Sequence, residues 1–195
     1  MIADPPDAGA SERTSLTRED WIAIARETLV GEGIAQVKID RLARKLGVTR
    51  GGFYWRFRSR EELLDALLEH WVTTNTGPFV AAVSGSGTPA ERYRSLMRLW
   101  IDERDFDPDF DSAVRGWSQI SPKVAKAVHD VDDRRIEALQ GLFGDAGYGT
   151  DEAFIRARIT YFHQVGYYAM GVKESTKRRE ALSELYYRVL TGFET

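Results

Sequence analysis

Apolar residues return along this chain mostly at intervals of three and four, the period of a helix that buries one face. Trp21, Ile22, Ala25 and Leu29 form the first stripe, between Thr17 and the glycines Gly31 and Gly33. Thr17 with Asp20 reads as a capping box, and Leu16 with Trp21 as the flanking staple. A short helix is expected over residues 39–46, stopped by Gly47, and a third from Thr49 to near Phe57. Ser59 and Glu62 open a fourth as a second capping box, with Leu63, Leu64, Leu67 and Leu68 behind them. That helix is expected to end around residues 76–78, and residues 84–87 to form a loop. Thr88-Pro89-Ala90-Glu91 starts the next helix, striped by Tyr93, Leu96, Met97 and Trp100. A short segment after Pro108 holds Phe110, Val114 and Trp117. Longer helices follow from Ser121-Pro122 to about Phe143, over residues 150–172, and over residues 176–192. The last carries Leu182, Leu185, Tyr186, Val189, Leu190 and Phe193 on one face. No segment alternates with period two between hairpin turns, so an all-α fold of about nine helices is expected.

Composition narrows the class. The 195 residues are 43% hydrophobic with no cysteine, enough apolar material for a core and none for disulfides or thiolate metal sites. No apolar run approaches the ~18 residues of a membrane helix, and the start lacks a signal-peptide pattern, so a cytoplasmic protein is expected. Residues 1–14, rich in Pro, Asp, Ala, Gly and Ser, read as a disordered tail.

Charge changes the picture more than composition does. The net charge is −3, yet residues 38–60 hold eight basic residues and one acid, a local +7. That segment is also a helix pair. Leu42, Ala43 and Leu46 share a face, Gly47 allows a sharp turn, Val48 plugs it, Thr49 caps the next helix, and Phe53 packs back. Small Ala43 permits close approach. This is helix-turn-helix spacing, in which the second helix enters a DNA major groove. An ordinary αα-hairpin has the same packing pattern; the local charge favours DNA, because a groove-binding element must neutralise phosphates.

Residues 39–57 read IDRLARKLGVTRGGFYWRF and continue RSREELL. The Leu-Ala pair, the Leu-Gly-Val turn, Tyr54, Phe57 and the following Ser-basic-Glu-Glu-Leu-Leu resemble the DNA-binding domain of the TetR family of bacterial transcriptional regulators. The resemblance covers residues 17–71. It implies a helix-turn-helix domain over residues 15–60. A larger C-terminal helical domain over residues 61–195 would bind ligand and dimerise, linked by the helix that starts near residue 59. It implies phosphate contacts from Thr49, Tyr54 and Arg60, with Lys38 and Arg58 beside them. Base reading is expected from Arg50, Gly51, Trp55 and Arg56, with arginine suited to guanine O6 and N7. Two positions depart from the family pattern: Gly52 stands where a small hydroxyl residue is usual, and Lys38 where Ser or Thr is frequent. Adjacent Gly51 and Gly52 would let the bare backbone come close to DNA.

For the C-terminal part, the resemblance implies a homodimer through the last two helices and an effector pocket. Met97, Trp100, Trp117, Tyr161, His163 and Tyr168 are the candidate lining residues, suited to an apolar small molecule; each also fits plain core. Asp105, Asp107, Asp109 and Asp111 alternate, but a calcium loop starting at Asp105 would need Gly and Glu where Phe110 and Gly116 stand. No metal and no cofactor is expected, and no acid–base pair or nucleophile motif appears. The expected function is a sequence-specific DNA-binding regulator, a homodimeric repressor released from a palindromic operator by a small-molecule ligand. A DNA-binding regulator without an inducer is the alternative, and a helical enzyme the third reading.

Overall fold

A computed structural model describes residues 16–193; the tail expected over residues 1–14 lies outside them. Among the described residues there are ten α-helices and no strand: α1 (Arg18–Glu32), α2 (Ile39–Lys45), α3 (Arg50–Tyr54), α4 (Arg60–Trp71), α5 (Gly77–Ser84), α6 (Pro89–Asp102), α7 (Pro108–Ser118), α8 (Pro122–Asp145), α9 (Thr150–Ala169) and α10 (Thr176–Thr191). The all-α expectation holds.

Most starts follow local chemistry. Thr17 accepts the Asp20 N–H while the Asp20 carboxylate accepts the Thr17 N–H, and Thr88 and Glu91 do the same for α6. The box expected at α4 is only half formed. Ser59 accepts the Glu62 N–H, but the Glu62 carboxylate accepts from the Arg58 N–H at 2.8 Å and from Arg18 at 3.2 Å. Thr49 occupies the N-cap position of α3 without accepting a cap hydrogen bond, so the expected capping by its hydroxyl is absent.

The largest departure lies at residues 72–84. The stop expected at Gly77-Pro78 is instead a π turn, Val72–Thr76, through which α4 runs into α5 without a break. Pro78 has no N–H to give the preceding turn. The widened turn passes the proline, and Arg135 donates to the Asn75 carbonyl at 3.2 Å.

Buried residues form two clusters. One joins Trp21, Leu42, Phe53, Phe57, Leu67 and Trp71 to Val114, Trp117, Val124 and Val131 of α7 and α8. The other gathers Phe79, Tyr93, Trp100, Phe143, Ala157, Tyr161 and Tyr187. The helix-turn-helix segment is therefore not a bead on a string: α1 and α4 share a core with α7 and the first half of α8.

Candidate nucleic-acid interface and ligand cavity

The α2–α3 pair is built around Phe53. Its ring is fully buried, edge-on to Trp21 at 5.2 Å and stacked on Phe57 at 5.5 Å. Gly47 makes the turn at φ +68°, a conformation that favours glycine. Val48 N–H then donates to the Ala43 carbonyl at 2.9 Å, tying the turn back to α2. The Val48 side chain is about a third exposed rather than plugging the turn.

With Phe53 turned inward, the rest of α3 faces out. Arg50, Gly51, Tyr54 and Trp55 are exposed, Trp55 at 85%. A ring so exposed has little role in packing the chain and is free to meet a partner. Thr49 and Lys38 are exposed at the N-caps of α3 and α2. A Cβ on Gly51 would lie 3.6 Å from Thr49 Oγ1, and one on Gly52 3.9 Å from Val48, both ordinary contacts. Nothing inside the chain therefore requires glycine at either position.

The cations divide into two sets. Arg50 Nε pairs with Asp40 at 2.8 Å on the surface, an exposed pair worth little against solvent. Arg41 and Lys45 both pair with Glu32 of α1. Arg60 is half-buried; it donates to the Val37 and Ile34 carbonyls at 2.6 and 3.2 Å and so holds the loop before α2. Arg56 donates to the Leu16 carbonyl at 2.8 Å, against the start of α1. Arg58 and Lys38 stay exposed without an ion pair among the described residues. Arg60 and Arg56 thus also brace the chain, Arg56 through Nε alone while staying exposed; intramolecular carbonyl partners cannot be read from spacing.

The C-terminal helices enclose two adjoining cavities. The larger, about 250 Å³, is bordered by Phe79, Trp100, Phe106, Arg115, Arg135, Tyr161 and Tyr168. The smaller, about 60 Å³, is bordered by Met97, Trp100, His163, Tyr167 and Tyr186. Trp100 and Gln164 border both. Five of the six expected lining residues thus border these spaces. Trp117 does not: it is buried in the first core, with the N-terminal helices.

Sequence reading missed the polar wall. Asp111 accepts from Trp71 Nε1 at 3.1 Å, Arg115 at 2.9 Å and Arg135 at 3.1 Å. Asp132 accepts from Arg115 at 2.7 and 3.0 Å and from the Tyr161 hydroxyl at 2.6 Å. Burial alone would push the Asp111 carboxyl up; the Arg135 and Arg115 guanidiniums outweigh it and hold the group below its ordinary value. Burial pushes the Tyr161 and Tyr168 phenols up and the His163 imidazole down, each toward its uncharged form. Asp107, one of the alternating acids, caps α7 by accepting the Phe110 N–H at 2.9 Å. Asp107 also pairs with Arg26 of α1.

Comparison with known proteins places this geometry. Residues 22–67 match the model of the bacterial regulatory proteins of the tetR family. TtgW of Pseudomonas putida, an uncharacterized HTH-type transcriptional regulator, is 30% identical over 129 residues, 65% of this chain and 75% of TtgW. The chain belongs to the TetR family. The HTH-type transcriptional regulator SrpR, also of Pseudomonas putida, is 27% identical over 76% of this chain, which spans 59% of SrpR's length. The fold of this TetR-family chain extends the likeness beyond the matched segment. A TetR-family transcriptional regulator from Streptomyces coelicolor, SCO4454, superposes with a TM-score of 0.71 at 22% identity, over 90% of this chain and 92% of its own. In this TetR-family chain the matched residues run from α1 into α4 and include Phe53 and the outward α3 face.

Proposed function

We propose that the protein is a homodimeric, sequence-specific DNA-binding repressor whose C-terminal cavities take a small-molecule effector. The observation that carries this reading is α3: five residues, one anchored ring, and every other large side chain exposed beside a +7 segment. In this reading α3 is the recognition helix. Arg50 exchanges its surface pair with Asp40 for a guanine edge. Gly51 and Gly52 leave room for the DNA backbone, and Trp55 lies on a thymine methyl or a sugar. Thr49, Tyr54, Lys38 and Arg58 meet phosphates, which position the protein without reading sequence.

Dimerisation is supported by a second exposed face. Ile155, Ile159 and Phe162 of α9 recur at i, i+4 and i+7 and are each about half exposed. Leu185 and Val189 of α10 are exposed at 50% and 70%. A face of this kind marks an interaction surface, and a second copy on a two-fold axis suits a palindromic operator. Among the described residues no helix is long and apolar enough to cross a membrane, which fits a cytoplasmic regulator. The aromatic cavities support an effector. Effector binding would act by population shift, favouring a dimer whose recognition helices no longer match the half-sites.

The test is fluorescence anisotropy of the purified chain with DNA from upstream of its own gene, at two salt concentrations. Tight, salt-sensitive binding that outcompetes random DNA is expected. Equal, weak binding to both DNAs would contradict the reading for that operator.

A further inference from the structure

Two buried donors on residues bordering the larger cavity lack a partner. Arg135 is 1% exposed, and four of its five N–H groups are used: two N–H on Nη1 reach Asp111 and the Tyr161 hydroxyl, and two on Nη2 reach the Asn75 carbonyl and the Thr76 hydroxyl. Its Nε is buried without a partner. Gln164, 9% exposed, lies where the two cavities meet, and its Nε2 is likewise buried without a partner. Both nitrogens are donors. A buried donor left unpaired is costly, and a ligand oxygen would remove that cost.

Charge narrows the ligand further. The two guanidiniums at the wall, Arg115 and Arg135, are already matched by two carboxylates, Asp111 and Asp132. A ligand carboxylate would bring a charge with no unmatched cation to meet it, in a space whose remaining wall is uncharged, with Ser112, Tyr161, Gln164 and Tyr168 as its polar members. The cavity is also of defined size: a void of about 150 Å³ takes a single benzene ring, so 250 Å³ admits a fused bicycle.

We infer that the C-terminal site selects uncharged, largely apolar molecules of about bicyclic size that carry a hydrogen-bond-accepting oxygen, with Gln164 Nε2 donating to that oxygen. The inference rests on the reading of these cavities as the effector site. Gln164 is the specificity-determining residue: it separates an oxygen-bearing ligand from a hydrocarbon of the same shape.

Equilibrium dialysis of the full chain against three matched probes tests this: 2-acetylnaphthalene, 2-isopropylnaphthalene and 2-naphthoate. The ketone is expected to bind about ten-fold more tightly than the hydrocarbon, and the carboxylate more weakly than the ketone. Gln164→Met, close in volume, should bring the ketone to the hydrocarbon's affinity and leave the hydrocarbon unchanged. The ranking of the three probes on the unaltered chain stands by itself if that variant does not fold. Equal affinity for ketone and hydrocarbon, or tightest binding of the carboxylate, overturns the inference and leaves the effector reading standing. No binding of any probe overturns the inference. An unchanged response of operator binding to saturating ketone, after tight ketone binding, removes the effector reading instead.

Discussion

At the scale of single residues, the outward face of α3 and the inward wall of the cavity behave differently. In the proposed reading Arg50 would give up only a solvent-exposed pair with Asp40 in turning to DNA. Arg50→Ala is therefore expected to lower discrimination by about 1–3 kcal/mol at one position of each half-site. Competition binding with single-base operator variants checks this; a uniform loss across all sequences would make Arg50 a phosphate contact. Asp111 is the opposite case, nearly buried and flanked by Arg115 and Arg135. Removing it strands a buried guanidinium, so Asp111→Ala should cost about 3–5 kcal/mol in urea denaturation. Its folded pKa is depressed. Its contribution is thus complete above the unfolded carboxylate value of about 3.9 and is lost as pH falls through the folded one. The unaltered chain should accordingly lose stability more steeply below about pH 4 than Asp111→Asn. None of this network announces itself in the sequence, because Arg135 finds Asn75 sixty positions back. A charged residue on a helix reads as solvated until the fold shows what it faces. Arg60 is a related case: its basic character at a helix start suggests phosphate, and only the fold shows that it also donates to the carbonyls of Ile34 and Val37.

At the scale of elements, local chemistry was legible and punctuation was not always decisive. The starts of α1 and α6 follow from Thr17-Asp20 and Thr88-Glu91 because a capping box involves neighbours only. Gly77-Pro78 read as a stop, but tertiary partners for Asn75 and Thr76 let the chain continue through a π turn into α5. Trp117 had the right residue type for a cavity and the wrong side of its helix; the face of α7 that it occupies packs with Trp21 and Trp71. The glycines of α3 carry a prediction at this scale. A Cβ at Gly51 or Gly52 meets only ordinary contacts, and glycine costs a helix interior roughly 1 kcal/mol against alanine. Gly51→Ala and Gly52→Ala should each leave stability unchanged or raise it by up to about 1 kcal/mol, while weakening DNA binding. Thermal melts beside anisotropy check this pair of effects; unaltered DNA affinity would mean that the backbone of α3 does not approach DNA closely.

For the whole molecule, the proposed reading requires two faces to act together: the α3 surface on DNA, and the exposed α9–α10 surface on a second copy. The stripe of α10 was visible in the sequence, but Leu185 and Val189 within it stay exposed while Tyr187 is buried, so only part of that stripe packs within the chain. Ile159→Asp or Val189→Asp should shift the chain to monomer in sedimentation velocity, with the helical fold kept and DNA affinity lowered by at least ten-fold. A monomer for the unaltered chain would contradict the dimer. Between the faces, the shared core of α1, α4, α7 and α8 and the Arg26–Asp107 pair connect the DNA-facing helices to the wall of the cavity. Trp71 of α4 and Arg135 of α8 meet on one Asp111 carboxylate oxygen.

If α3 reads DNA sequence, selection of bound duplexes from a random-sequence pool, run in parallel with the unaltered chain and Arg50→Ala, will show it. The unaltered chain should enrich one two-fold symmetric motif, and the variant should relax one base pair in each half of it. Enrichment of no motif by folded protein that still binds DNA would contradict the claim and reduce the +7 segment to a charged surface.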